Sequence, residues 1–118
     1  MNNQNVNWPG KSGVYTFEVL KMDGNWNVIP GIYIFAKEVS LGAWKALYVG
    51  EAVSFKNRLT VSHEKWSSAV LMGATHVHAL IVQGSEIERK RIESDLILAL
   101  DPPLNRKLSV DLHTLLST

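Results

Sequence analysis

The chain has no cysteine among its 118 residues. A disulfide framework and a thiolate zinc site are therefore excluded, and a reducing cytoplasm is the default location. Long apolar runs are missing too. None approaches the length needed to span a bilayer, and the polar start, Met1–Asn7, lacks the apolar segment of a signal peptide. Charge of one sign is equally scarce. Formal net charge is +1, so bulk charge does not announce nucleic-acid binding, and such a function would have to rest on a local cluster. No internal repeat and no boundary between domains shows. What is there is 46% hydrophobic and 19% charged, enough for one compact core but too apolar for a disordered chain.

The most patterned stretch is Gly31–Gly50, GIYIFAKEVSLGAWKALYVG. Two short apolar runs, 31–36 and 46–50, each hold a tyrosine and end outward in a glycine. A polar and small-residue segment separates them, which predicts two strands joined by a hairpin loop. With the turn centred between Ser40 and Leu41, Tyr33 and Tyr48 fall opposite each other. They then leave the same face of the sheet, close enough to touch. By itself such a pair is ordinary packing.

Taken in order, residues 1–13 are rich in Asn, with Pro9 and Gly10, and read as a flexible N-terminal arm. Residues 14–118 read as a single domain with its core at about 30–105. Val14–Leu20 alternates and predicts a strand with Tyr15, Phe17 and Val19 inward. Asp23-Gly24 is a hairpin signal, with Trp26–Ile29 expected to pair back. Phe55 and Leu59 mark a short helix over 52–62, and Trp66, Ala69 and Val70 face inward on a second over 65–72, stopped by Gly73. His76–Val82 is a strand. Ser85 and Glu88 form a capping box that opens a helix to about Leu100, striped by Ile92, Leu96, Ile97 and Leu100. Asp101-Pro102-Pro103 ends it. Val110, Leu112, Leu115 and Leu116 in the tail suit a short docking helix. The order predicts an α+β domain, a small antiparallel β-sheet flanked by helices.

Three polar residues sit where packing alone does not explain them. Glu93 borders the apolar stripe of the last long helix, where a carboxylate needs a cation, hydrogen bonds or a metal. An ion pair with Arg89 one turn earlier is the plain solution. Arg58, wedged between Phe55 and Leu59, is either a snorkelling surface arginine or a functional one. Asn105 follows two prolines, where a rigid extended segment would hold its amide in place.

Gly31-Ile32-Tyr33, Tyr48-Val49-Gly50, Arg58, His63, Glu93 and Pro102-Pro103-Leu104-Asn105, in that order, resemble the GIY-YIG nuclease superfamily, and most of all its small stand-alone bacterial and phage members. The resemblance covers Pro30 to Asn105. It implies a DNA endonuclease that hydrolyses phosphodiester bonds with one divalent metal ion, and a catalytic set of Tyr33, Tyr48, Arg58, His63, Glu93 and Asn105. Glu93 would be the metal ligand, a hard carboxylate suited to Mg²⁺ or Mn²⁺. Arg58 would offer its charged fork to the phosphate. Tyr33 would take the proton from the attacking water and Tyr48 would orient water or phosphate, roles that are exchangeable. A free tyrosine pKa of about 10 needs lowering by positive charge from Arg58, the metal or His63. Asn105 would position Glu93 or the backbone of the site, and Gly31 and Gly50 would allow close backbone approach. The tyrosine face should then be polar, concave and open, with Ile32, Ile34, Leu47 and Val49 packed on the other side.

Two spacings depart from the family pattern. The interval between the tyrosines is longer than usual, which a longer hairpin loop accommodates. His63 lies one position further from Arg58 than is common, so the helix must end near Ser62 for His63 to turn into the site. Lys56, Lys65, Arg89, Arg106 and Lys107 are candidate phosphate contacts. His76 and His78 share a strand face but have no third ligand at a convincing spacing. Trp44 and Trp66 suit stacking on bases or packing, with packing favoured for Trp66. DNA is the implied partner, with a homodimer or a partner protein supplying double-strand cleavage or specificity. The competing reading is a non-catalytic nucleic-acid-binding or regulatory module on the same scaffold. Repair, recombination, restriction, mobile-element and phage roles all fit.

Overall fold

The computed structural model describes residues 4–106. Lys107 and the expected docking helix around 110–116 lie outside the described residues. Five antiparallel strands, β1 (Asn5–Pro9), β2 (Val14–Lys21), β3 (Gly31–Ser40), β4 (Ala43–Ala52) and β5 (His76–Ile81), form one sheet in the order β1-β2-β5-β3-β4. Three helices accompany it: α1 (Phe55–Arg58), α2 (Trp66–Leu71) and α3 (Glu86–Leu100), with a single 3-10 turn at Pro103–Asn105. The α+β class and the antiparallel sheet flanked by helices are as the sequence predicts. No helix among the described residues is long and apolar enough to cross a membrane.

Apolar residues cover both faces of the sheet. On one, Phe17, Ile32, Ile34 and Val49 pack with Trp8 under Ile92 and Leu96 of α3. On the other, Tyr33, Phe35 and Val77 pack under Phe55, Leu59 and Ala69 from the α1–α2 region. Period-2 alternation along β3 sends Ile32 and Ile34 one way and Tyr33 and Phe35 the other. Helix α3 begins as its capping box predicts, with the Ser85 hydroxyl accepting from the Glu88 N–H at 3.1 Å. Asp101 then closes it in the left-handed region, φ 46°, just before Pro102. Val70, expected inward on α2, is exposed, while Ala69 is fully buried.

Two expectations near the N-terminus are corrected. Asn5–Pro9 is an edge strand paired with Val14–Glu18, where a flexible arm was expected. Its polar-apolar alternation is short, but Trp8 is buried in the core and anchors it. Asp23-Gly24 does lie in a turn, with the Gly24 N–H reaching the Lys21 carbonyl at 3.2 Å. Trp26–Ile29 does not return as a strand, because β1 and β5 already hold both edges of β2. Trp26 and Ile29 pack against the buried cluster around Tyr33 and Phe55.

The hairpin register also differs from the expected one. Tyr33 pairs with Gly50 and Phe35 with Tyr48, and the strand path is irregular at Phe35/Ala36 and Glu38/Ser40. The turn is Leu41-Gly42, with Gly42 at φ 76°. Relative to the expected pairing, the partner of Tyr33 has moved two places along β4. A shift of two keeps every side chain on its face, so the tyrosines remain on one side.

Candidate active site

Tyr33 lies in the middle of β3 and is 0% exposed. Its ring crosses β4 over Gly50, where a Cβ would land on the ring and its hydroxyl. Gly31 is needed for a similar reason, since a Cβ there would meet the Leu80 carbonyl and the Phe55 ring. Both motif glycines are thus places of close approach. The expected open tyrosine face is corrected: Tyr33 is enclosed, and Tyr48, its ring 6.2 Å from that of Tyr33, is half-buried.

Helix α1 ends at Arg58, four residues short of the expected boundary, and the chain turns through Leu59–Ser62. That early end lets His63 swing inward. Its Nε2 lies 2.6 Å from the Tyr33 hydroxyl, and its Nδ1 accepts the Lys65 backbone N–H at 2.9 Å. A donor at Nδ1 leaves the ring proton on Nε2, so His63 donates to the Tyr33 oxygen. Burial, helped by the Arg58 charge, lowers the His63 pKa to about 4, and the ring is neutral at pH 7. The Glu64 carboxylate 3.8 Å from Nδ1 is therefore not facing an imidazolium.

Burial also raises the Tyr33 pKa, with Tyr48 adding to it and Arg58 opposing it. Of the positive charges expected to lower this pKa, Arg58 pulls in that direction, but desolvation of a phenolate in a closed site outweighs a half-exposed guanidinium, and the neutral His63 adds no charge. Tyr48 shifts the same way, chiefly through burial and then Glu64. Arg58 holds the Glu64 carboxylate with both terminal nitrogens, at 2.8 and 2.5 Å. It also lines a groove of about 330 Å³ with Glu51, Ala52, Val53, Ser54 and Asn57.

Glu93 approaches from α3, which packs on the other face of the sheet. Its side chain is 18% exposed, and its charge helps raise the Tyr48 pKa, so the site wraps around the edge strand β4. Lys90 Nζ stands 3.2 Å from Glu51 and 3.8 Å from Glu93. A cation thus already rests against these two carboxylates, whose hard oxygens suit Mg²⁺ or Mn²⁺. No group of three or more ligating side chains exists among the described residues, so such an ion would keep most of its waters. The residues fit a metal held by one carboxylate.

Two solved structures share this architecture. One is a point mutant of the GIY-YIG N-terminal endonuclease domain of UvrC from Thermotoga maritima, bound to its catalytic divalent cation. It aligns with TM-score 0.56 and 26% identity over 70% of this chain and 88% of that one. A second point mutant of the same domain, also cation-bound, gives TM-score 0.57 and 24% identity over the same shares. The fold is GIY-YIG. No protein-family model and no curated protein matches the chain.

Within this GIY-YIG fold, Asn105 contacts the backbone. Its side chain accepts the Val49 N–H at 2.8 Å and donates to the Val49 carbonyl at 2.9 Å, fixing the strand between Tyr48 and Gly50. Arg89, expected at a phosphate, is corrected: it is buried, with Nε on Glu51 and Nη1 on the Gly84 carbonyl, both at 2.9 Å. Lys56 is exposed and Lys65 half-buried, while Arg106 is exposed and paired with Asp101 at 2.9 Å. Trp44 meets His76 and His78 edge-on, and Trp66 meets Phe35 edge-on, so both tryptophans pack within the protein. Sequence reasoning missed Glu51 and Glu64. Their only signal was adjacency to Gly50 and His63.

Proposed function

We propose that the protein is a metal-dependent DNA endonuclease that hydrolyses phosphodiester bonds at this site. The observation that carries the reading is the meeting of Tyr33, Tyr48, His63 and Arg58 on one side of β4, with Glu93 acting on Tyr48 from α3. Arg58 would take two phosphate oxygens in its fork and stabilise the charge that builds on them. Tyr33 would act as base from its phenolate form, which the His63 Nε2–H, already donating to that oxygen, would steady, and it would become the neutral phenol on taking the proton of the attacking water. Tyr48, the less buried of the two, would orient water or phosphate. Glu93 would hold a divalent ion, Mg²⁺ or Mn²⁺, which when bound supplies Lewis-acid polarisation of the phosphate. The likeness to a cation-bound endonuclease domain supports this assignment.

DNA is the substrate this reading requires, in a reducing compartment such as the cytoplasm. A single site cuts one strand at a time, so cutting both would take a homodimer or a partner protein. The second reading, a non-catalytic nucleic-acid-binding module, draws on the protonated resting state of Tyr33. The two separate when purified protein meets supercoiled and branched DNA in Mg²⁺, Mn²⁺ or EDTA. The nuclease reading expects metal-dependent nicking that disappears in Glu93→Ala and Arg58→Ala. Equal cleavage by both folded variants would sink it, and binding without cleavage on every substrate would favour the module.

A further inference from the structure

The fork that should receive a phosphate is already occupied. Arg58 presents two terminal nitrogens to the two oxygens of Glu64, the same bidentate geometry a phosphodiester would use. Glu64 lies on the loop between α1 and α2, its side chain 57% exposed beside an Arg58 side chain 36% exposed. A staple for that loop is one reason to keep such a pair, but the loop is fixed without it. His63 ties it to Tyr33 through its ring and to Thr60 and Trp66 through its backbone, while Thr60 and Ser62 share a hydroxyl bond of 2.7 Å. The pair also lies at the solvent side of the site, where an incoming polyanion arrives first.

We propose that Glu64 is an intramolecular stand-in for the scissile phosphate, holding the Arg58 fork until a DNA phosphodiester displaces it. Glu64 thereby sets the affinity and salt dependence of substrate binding. This deepens the nuclease reading and rests on it. A weak phosphate ligand, such as a lone anion, would compete poorly with a carboxylate tethered at the fork. A DNA strand engaging several contacts at once would displace it. An exposed pair is worth little in solvent, so the gate is a shallow one, and displacement is expected to cost affinity without preventing binding.

The test is binding of a short fluorescent DNA duplex in EDTA across a salt series, using the parent, Glu64→Gln, Glu64→Asp, Arg58→Ala and the Arg58→Ala/Glu64→Gln double variant. Glu64→Gln should bind about 3- to 10-fold more tightly than the parent, with a salt dependence steeper by up to about one ion. Glu64→Asp, which keeps the charge, should stay near the parent. The gain should be largely lost when Arg58 is absent. A gain of equal size in the Arg58→Ala background would mean general charge repulsion and overturn the gate. Weaker binding with a lower melting temperature in Glu64→Gln would mark a loop staple and also overturn it. If Glu64→Gln and the parent bind alike while Arg58→Ala binds poorly, the gate fails and the nuclease reading stands. Absence of binding by every variant and the parent overturns both.

Discussion

His63 and His78 lie on opposite faces of one sheet and begin from the same physics. Each is buried, burial lowers each pKa to about 4, and each accepts an N–H at Nδ1, which leaves the proton on Nε2. Their surroundings then separate them. His78 takes its bond from the Trp8 indole at 2.8 Å and meets Trp44 edge-on at 4.6 Å, and its Nε2 has no hydrogen-bond partner among the described residues. The edge-on tryptophan offers that N–H at most a weak aromatic acceptor. In front of the His63 Nε2 stands a phenol oxygen. A locked tautomer is packing when it faces rings and becomes usable chemistry when it faces an ionisable group.

The comparison can be broken at its most reactive point first. Tyr33→Phe should lower metal-dependent nicking by about 10²- to 10⁴-fold, the range of a lost general base. Its circular dichroism should be unchanged, and nicking within a few-fold of the parent would make Tyr33 a packing residue after all. His78→Ala should do the reverse. It leaves the Trp8 indole N–H unsatisfied and opens a cavity, so urea unfolding should show a loss of about 2–4 kcal/mol. Nicking per folded molecule should stay near the parent's.

Acid should sharpen the same contrast. Both histidines have folded pKa values below the ordinary 6.5, so between about pH 6.5 and 4 the unfolded chain binds more protons. Stability is then fully present above pH 6.5 and is lost as pH falls towards 4, by roughly 2 kcal/mol per histidine at pH 5. Denaturant titrations at pH 7 and 5 measure it, and in His63→Gln the drop should be about half as large. An unchanged drop would assign the acid sensitivity elsewhere. The smallest effect belongs to Asn105→Ala, which loses two hydrogen bonds to Val49 and should cost about 1–2 kcal/mol. A melting temperature equal to the parent's would show that the clasp adds nothing to folding.

Alternation and capping made much of the fold legible. Val14–Leu20, the two hairpin strands, His76–Val82 and the Ser85–Leu100 helix all carry local periodic or capping signals, and all are present. The misses lie where distant contacts decide. Asn5–Pro9 is a strand because Trp8 reaches His78, seventy positions away, which no local pattern reveals. The tyrosine register slid by two, which sets the Tyr33 ring over Gly50, the one glycine of β4, where a Cβ would collide with it. In the candidate site, Tyr33, Tyr48, Arg58 and His63 are brought together on one side of β4 as their order suggested. Arg89 was misread because its partner, Glu51, lies on another element, and side-chain partners across elements are not written in spacing.

The Asn105 clasp has a consequence for assembly. Among the described residues β4 is the outermost strand on its side of the sheet, and such strands invite a second chain to add on. A carboxamide carries the same donor and acceptor as a peptide group, so Asn105 serves Val49 as a sixth strand one residue long. The sheet is hemmed at the strand that carries Tyr48. Two copies of the protein, or a client peptide, would have to unpick that hem before they could join through β4.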